Sequence, residues 1–313
     1  MAVRNPIEWG SDQIRLANLA AESAGRALRP HREGTHAASP DVCRIGVAEL
    51  GDVLARGLED FGAYRTDVIF ICIIYPVIGL VLGRFAFGSG MVQLLFPLAS
   101  GFALVGPFAA IGLYEMSRRR ELGVTIGWPD AFGVLGSPAF GRVVVLGLML
   151  VVIDLIWLGA AAAIYALTLG PEPPASLSSF VHDVFATGPG WALVFVGVGV
   201  GFLFAMLVLA IGVVSFPMLL DRDVGIDTAI QTSIRAVAAN PIPMALWGLI
   251  VAAGLVLGSI PLFLGLVIVL PVLGHATWHL YRKVVPSRVL ETAAAAAAAA
   301  QQDAPPGMPY RRS

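Results

Sequence analysis

The chain has 313 residues, of which 57% are hydrophobic and 13% charged, with a formal net charge of −1 and a mean hydropathy of +0.81. An average soluble domain is about 25% charged, so this sequence lacks the polar coat of a globule, and its balanced charge provides no global field for nucleic acid. The two cysteines, Cys43 and Cys72, are far apart and match no metal-ligand spacing, so both read as free thiols.

Residues 1–45 read as a polar cytoplasmic tail with one amphipathic stretch over 11–28. The opening "MAVRNPIEWGSDQIRLANLA" has no apolar h-region, so no cleaved signal peptide is expected. A membrane domain over 46–285 follows, with six apolar runs at 68–88, 91–114, 143–168, 191–216, 242–260 and 262–281. About 20 residues of helix cross a hydrocarbon core of about 30 Å, and only helices satisfy the backbone at that length without water. The expected fold class is therefore all-α, a polytopic bundle of six transmembrane helices. Residues 286–313 contain eight alanines at 293–300 and then a segment with nothing to bury, expected to be disordered.

Orientation follows from arginine and lysine. The tail before the first run holds eight of them, and the connections 115–142 and 217–241 hold four and two. Five more follow the sixth run, whereas the alternate connections together hold only Arg84. Positive residues mark the cytoplasmic side, so both termini are expected in the cytoplasm. Arg118, Arg119 and Arg120 in "YEMSRRRE", and Arg282 and Lys283 after the last run, read as topogenic anchors touching anionic lipid.

The cytoplasmic connections carry amphipathic patterns. "VAELGDVLARGLEDFGAY" aligns Val47, Leu50, Leu54, Leu58 and Phe61, and "GIDTAIQTSIRAVAANP" aligns Ile226, Ala229, Ile230, Ile234 and Val237. "WPDAFGVLGSPAFG" is a shorter, glycine-rich version. Each is expected to lie at the inner headgroup surface and then turn into a span. The pattern suggests a threefold tandem repeat of one amphipathic helix and two spans. "GLVLG" at 79–83 and 254–258 supports it, since both copies begin 27 residues after an aspartate, Asp52 or Asp227. Gly197, Gly199 and Gly201 read as a helix-packing stripe.

"DVIFICIIYPVIGLVLGRFAFG", "FPLASGFALVGPFAAIGLYEMSRRRELG", "VVSFPMLLDRDVGIDTAIQTSIRAVAANPIPMALWG" and "LPVLGHATWHLYRKVV" resemble bacterial integral membrane proteins grouped as domain of unknown function 2189, from about residue 45 to 285. The resemblance implies no established activity. Some members carry a label as cytochrome c oxidase, and that label alone points to a respiratory oxidase complex as partner.

The residues argue against a catalytic oxidase. Of five histidines only His275 and His279 lie in a run, and positions i and i+4 of one helix face the same way, so they cannot clamp one haem iron from both sides. They could form half of a metal site. The alternative places Trp278, His279 and Tyr281 in an interfacial belt above Arg282 and Lys283. Asp154, in the middle of "LMLVVIDLIWLGAA", is the other oddity. An ionisable residue inside a span faces protein or a watery cavity. It reads either as a proton or cation site, with His275 at similar depth as partner, or as a neutral hydrogen-bonded carboxyl. No cofactor is expected. Three classes stay open: a non-enzymatic accessory, assembly or organising protein as the preferred one, a transporter or channel using Asp154, and a haem or metal protein.

Overall fold

In a computed structural model the chain is described over residues 40–73, 77, 79–81, 83–84, 91–104, 106–124 and 128–286. The stretch 11–28, the alanine run and part of the first expected span lie outside the described residues. Among those described, all regular structure is α or 3₁₀ helix: α1 (Ala48–Cys72), α2 (Leu95–Leu104), α3 (Ile111–Glu121), α4 (Phe140–Thr168), α5 (Leu177–Ala186), α6 (Gly188–Gly212), α7 (Ser215–Asp221), α8 (Ile226–Ala239), α9 (Pro241–Ser259) and α10 (Leu266–Val284). A 3₁₀ helix, Trp128–Gly136, stands where the glycine-rich amphipathic segment was expected.

Four stretches among the described residues are long and apolar enough to cross a membrane: Leu95–Glu121, Phe140–Thr168, Gly188–Asp221 and Pro241–Ser259. They correspond to the second to fifth expected spans. Gly188–Asp221 has 34 residues, against the about 20 that cross a hydrocarbon core, and it is broken within that length. Helix breaks fall near prolines. Pro217 cannot donate a hydrogen bond to the preceding turn and its ring crowds it, and α6 gives way to α7 over residues 213–214. The freed Val214 N–H donates to Ser233 Oγ of α8 at 3.2 Å. Pro107 occupies the single turn Gly106–Ala109 that separates α2 from α3.

The sixth expected span differs from expectation. Residues 260–265 form a tight turn with Leu262 and Phe263 at φ 50 and 65, and α10 starts only at Leu266. The "GLVLG" glycines explain how the turn closes. Gly258 meets Gly265 backbone to backbone, and Gly254 faces Val269 and Leu273 across the hairpin. The first half of α10 is apolar, but the second half carries His275, Thr277, His279, Arg282 and Lys283. That half is buried in protein: His275, Trp278 and Tyr281 are all inaccessible. A helix so polar over its last turns is not among those apolar enough to cross on composition alone.

What buries it is α1. The helix bends at Tyr64 (φ −123, ψ 23), and the portion before the bend lies across α10. Leu50, Val53, Gly57 and Asp60, spaced three and four apart, form its buried face. At the crossing a Cβ on Gly57 would stand 2.7 Å from Ala276 Cβ and 2.8 Å from the Val272 carbonyl oxygen. The two backbones are therefore in contact, and only glycine fits. The expected face is buried in part: Leu50 is buried and Leu54 and Phe61 are half-buried against the core, whereas Val47 and Leu58 are exposed. α8 buries Ala229, Thr232, Ser233 and Ala236; of its expected face Ile226, Ile230 and Val237 are half-buried against the core and Ile234 is exposed. Small side chains let helices approach, and bulky ones fit lipid equally well.

On the opposite side of the bundle, α5 begins with a capping box of Ser176 and Ser179, and Thr187 caps α6 through Gly190 N–H at 3.0 Å. Of the expected glycine stripe on α6, Gly201 packs on Trp157, whereas Gly197 and Gly199 meet no neighbour.

The Gly57 crossing yields a direct expectation. Gly57→Leu should overpack the α1–α10 contact by about 1–3 kcal/mol or more and release α1. In membrane vesicles with the charged face outward, trypsin should then cut at Arg56 several-fold faster than in wild type. An unchanged rate would mean that α1 is not held there.

Candidate functional site

The polar residues at the ends of α3, α7 and α10 converge with those of α1 into one layer with a buried centre. Its centre is the Asp60 carboxylate, 4% exposed. Oδ2 accepts from Ser117 Oγ of α3 at 2.6 Å and from His279 Nε2 of α10 at 2.9 Å. Oδ1 accepts from Arg120. His275 Nδ1 lies 2.8 Å from Ser117 Oγ and 4.0 Å from Asp60 Oδ2. A serine hydroxyl has one hydrogen. Because Ser117 directs it at Asp60, His275 must carry its proton on Nδ1 and donate to Ser117. Thus all the bonds run toward the carboxylate.

Around this centre the layer continues. Trp278 Nε1 donates to Glu121 at 3.2 Å, and the Arg282 guanidinium bridges Glu121 (3.1 Å) and Asp221 (3.2 Å) while lying over the Trp278 ring. Tyr281 donates to Asp221 at 2.6 Å. Lys283 reaches Asp52 (3.2 Å) and Glu49 (3.6 Å) on α1. Arg118 and Arg119 both pair with the buried Glu115, at 2.8 and 2.7 Å. Each of the five expected lipid anchors thus has an acidic partner in its own chain. The expected belt also reads differently, since Trp278 and Tyr281 face protein and only His279 is partly open.

Asn240, 2% exposed, fastens the segment before α1. Its Oδ1 accepts from Ile45 N–H at 2.8 Å and its Nδ2 donates to the Cys43 and Ala236 carbonyls, both at 3.0 Å. Cys43 N–H donates to the Val284 carbonyl at 2.8 Å, so residues 43–45 join the layer.

Asp154 lies elsewhere, on the seam between α4 and α2. Its Oδ1 faces Gly101 and is buried without a hydrogen-bond partner among the described residues. One turn on, Trp157 Nε1 donates to Ser100 Oγ at 3.0 Å, holding the same seam closed. The structure does not bring Asp154 and His275 together: His275 is engaged by Ser117. The pair His275 and His279 does converge, on Asp60. Among the described residues, no three His, Cys, Asp or Glu side chains are arranged to hold a metal ion.

Several apolar helices of spanning length, tied at one end by a charged layer, define a multi-pass integral membrane protein. Residues 95–221, from α2 to α7, match the family described as "Predicted integral membrane protein (DUF2189)". The match is narrower than the 45–285 resemblance in the sequence: Ser117, Arg120 and Asp154 lie inside it, and Asp60, His275 and His279 outside. No curated protein and no solved structure matches the chain.

Asp60 also sets a pH dependence. Burial alone would raise its pKa, but hydrogen bonds from His279 and Ser117, with the positive charge of the two histidines, outweigh that and hold it below the ordinary value. A carboxyl depressed in the folded state contributes stability fully above its unfolded pKa of about 3.9, and loses it as pH falls through the folded value. As far as Asp60 is concerned, the layer should be insensitive to pH between 5 and 8 and open only in strong acid. Asp60→Leu should lower thermal stability by an amount near the lower end of the roughly 3–5 kcal/mol for a broken buried pair, because Arg120 can reach solvent. Asp60→Asn should cost less. Unchanged melting of both variants in detergent would contradict the assignment.

Proposed function

We propose that the chain is a non-enzymatic accessory or organising protein of the bacterial inner membrane. The observation that carries this reading is the use made of the polar side chains. Asp60, Ser117 and His275 are buried, and their hydrogen bonds join α1, α3 and α10. A reaction centre needs groups that a substrate can reach, and these are buried where they hold helices together, with His275 Nε2 left without a partner among the described residues. A cytoplasmic layer fixed in this way presents a constant surface, as an organising role requires.

The membrane topology belongs to the same proposal. We read six spans with both termini cytoplasmic. The nineteen-to-one partition of arginine and lysine supports the orientation. Phe185, Trp191 and Phe195, exposed aromatic side chains with rings 5.7–6.2 Å apart at the other end of the bundle, suit a membrane interface there. α10 can serve as the sixth span because α1 and α3 shield its polar half from lipid. The threefold repeat is part of the proposal at α8, α9 and α10, where an amphipathic helix precedes a hairpin.

A second reading, transport of a proton or cation at Asp154, is favoured by one observation: a buried carboxyl oxygen without a partner in a seam between spans.

Two measurements test these readings. Reporter fusions at residues 125 and 230 should read cytoplasmic and a fusion at 180 external, and an external signal at 125 would end the six-span topology. The second compares Asp154→Asn and Asp154→Leu in a strain lacking the protein. If the carboxyl only fills the seam, both variants should complement at normal abundance, and Leu should insert more readily because it removes a penalty of about 2.5–3.5 kcal/mol. Tagged wild type extracted in mild detergent should then bring down a stoichiometric membrane partner. Loss of function with Asn at normal abundance, and a protein that purifies alone, would favour the transport reading.

A further inference from the structure

We propose that a groove among the spans holds one acyl chain of a bilayer phospholipid, a binding site that the organising role does not require. The groove runs between α3 and the turn before it, α6, α9 and α10, and encloses about 360 Å³. Its floor is formed by the buried Val208, Trp247 and Leu273, and Ala205 and Ala252 stand exposed at its rim. No described lining residue carries a charge.

Three observations select the occupant. First, α6, α9 and the helix pair containing α3 are candidate spans, so the mouth opens on hydrocarbon, and an apolar space of this kind is not a place for water. Second, the volume of about 360 Å³ is within the range of about 300–1,000 Å³ usual for small-molecule sites, and a slender hydrocarbon chain can lie along it. Third, the groove has a direction. Its polar members, Tyr114 and Thr277, lie at the end next to the Arg118–Arg120 and His279 turns. Thr277 Oγ1 is already bonded to the Leu273 carbonyl at 2.7 Å, so this end selects no polar ligand. It is where the chain of a lipid from the charged-side leaflet would enter.

The test uses the full chain in vesicles of phosphatidylethanolamine and phosphatidylglycerol containing a phospholipid with a photoactivatable diazirine on its acyl chain. After illumination and digestion, adducts should be several-fold denser on the peptides of Val208, Trp247 and Leu273 than on those of Val152 and Leu155, exposed residues of α4. The double variant Ala205→Leu and Ala252→Leu narrows the mouth at exposed positions, without overpacking the core. It should lower groove labelling several-fold and leave α4 labelling unchanged. Equal labelling of groove and α4 in wild type would reduce the groove to ordinary lipid contact and overturn the proposal. Groove labelling untouched by the double variant, or cross-linking of the groove peptides to another polypeptide, would overturn it as well. If the double variant fails to insert, the wild-type ratio decides alone.

Discussion

A carboxylate taken out of water must be met by donors, and Asp60 is met from two helices at once. Desolvating such an ion costs several kcal/mol, which is offset only if Ser117, Arg120 and His279 arrive together. That requirement fixes the angle at which α1 crosses α10 and the depth at which α3 ends. It also demands the close backbone approach that Gly57 and Ala276 allow. Because the histidines of α10 are used in this way, its polar half can stay inside the protein. Arg282 and Lys283, one turn further, then reach the acids of α3, α7 and α1 rather than lipid alone. The charged layer and the hairpin that precedes it thus depend on one buried ion.

The helices within the membrane were legible because length and hydropathy are local properties. The second to fifth spans fall where the apolar runs lie, within a few residues at their apolar ends. At their charged ends the helices run on, to Glu121 and Asp221, because a helix does not stop where its hydrophobic stretch does. The amphipathic faces were legible only in part, for a physical reason. Bulk and hydrophobicity mark the face that avoids water, but in a bilayer both lipid and protein satisfy that demand. Packing is decided by which side chains are small enough to admit a neighbour, as Gly57 on α1 and Ala229, Ser233 and Ala236 on α8 do.

The polar layer was only half legible. His275 and His279 stood out because two histidines at i and i+4 share a face, and they do act on one centre. Asp60 could not be found from sequence, since it lies 219 residues from His279 and looks like one more charge on a surface helix. Ser117 and Asn240 gave no signal at all. Asp154 stood out by chemistry alone, as any carboxylate in an apolar run would, and its neighbour Gly101 was invisible because proximity across helices leaves no mark in spacing. The family match covers three of the four candidate spans and the α3 and α7 ends of the layer, so the residues that complete it from α1 and α10 rest on the structure.

The account stands or falls on whether α1 is held by the buried layer rather than resting on lipid. Hydrogen exchange of the α1 amides between Leu50 and Asp60, measured in lipid nanodiscs for wild type and His279→Ala, tests this most directly. The substitution is on α10 and removes a hydrogen bond to the Asp60 carboxylate of α1. Loss of a hydrogen bond to a charged group costs about 1.5–3 kcal/mol, so exchange across α1 should quicken about tenfold or more. Protection of α1 that is the same in both proteins would contradict the account.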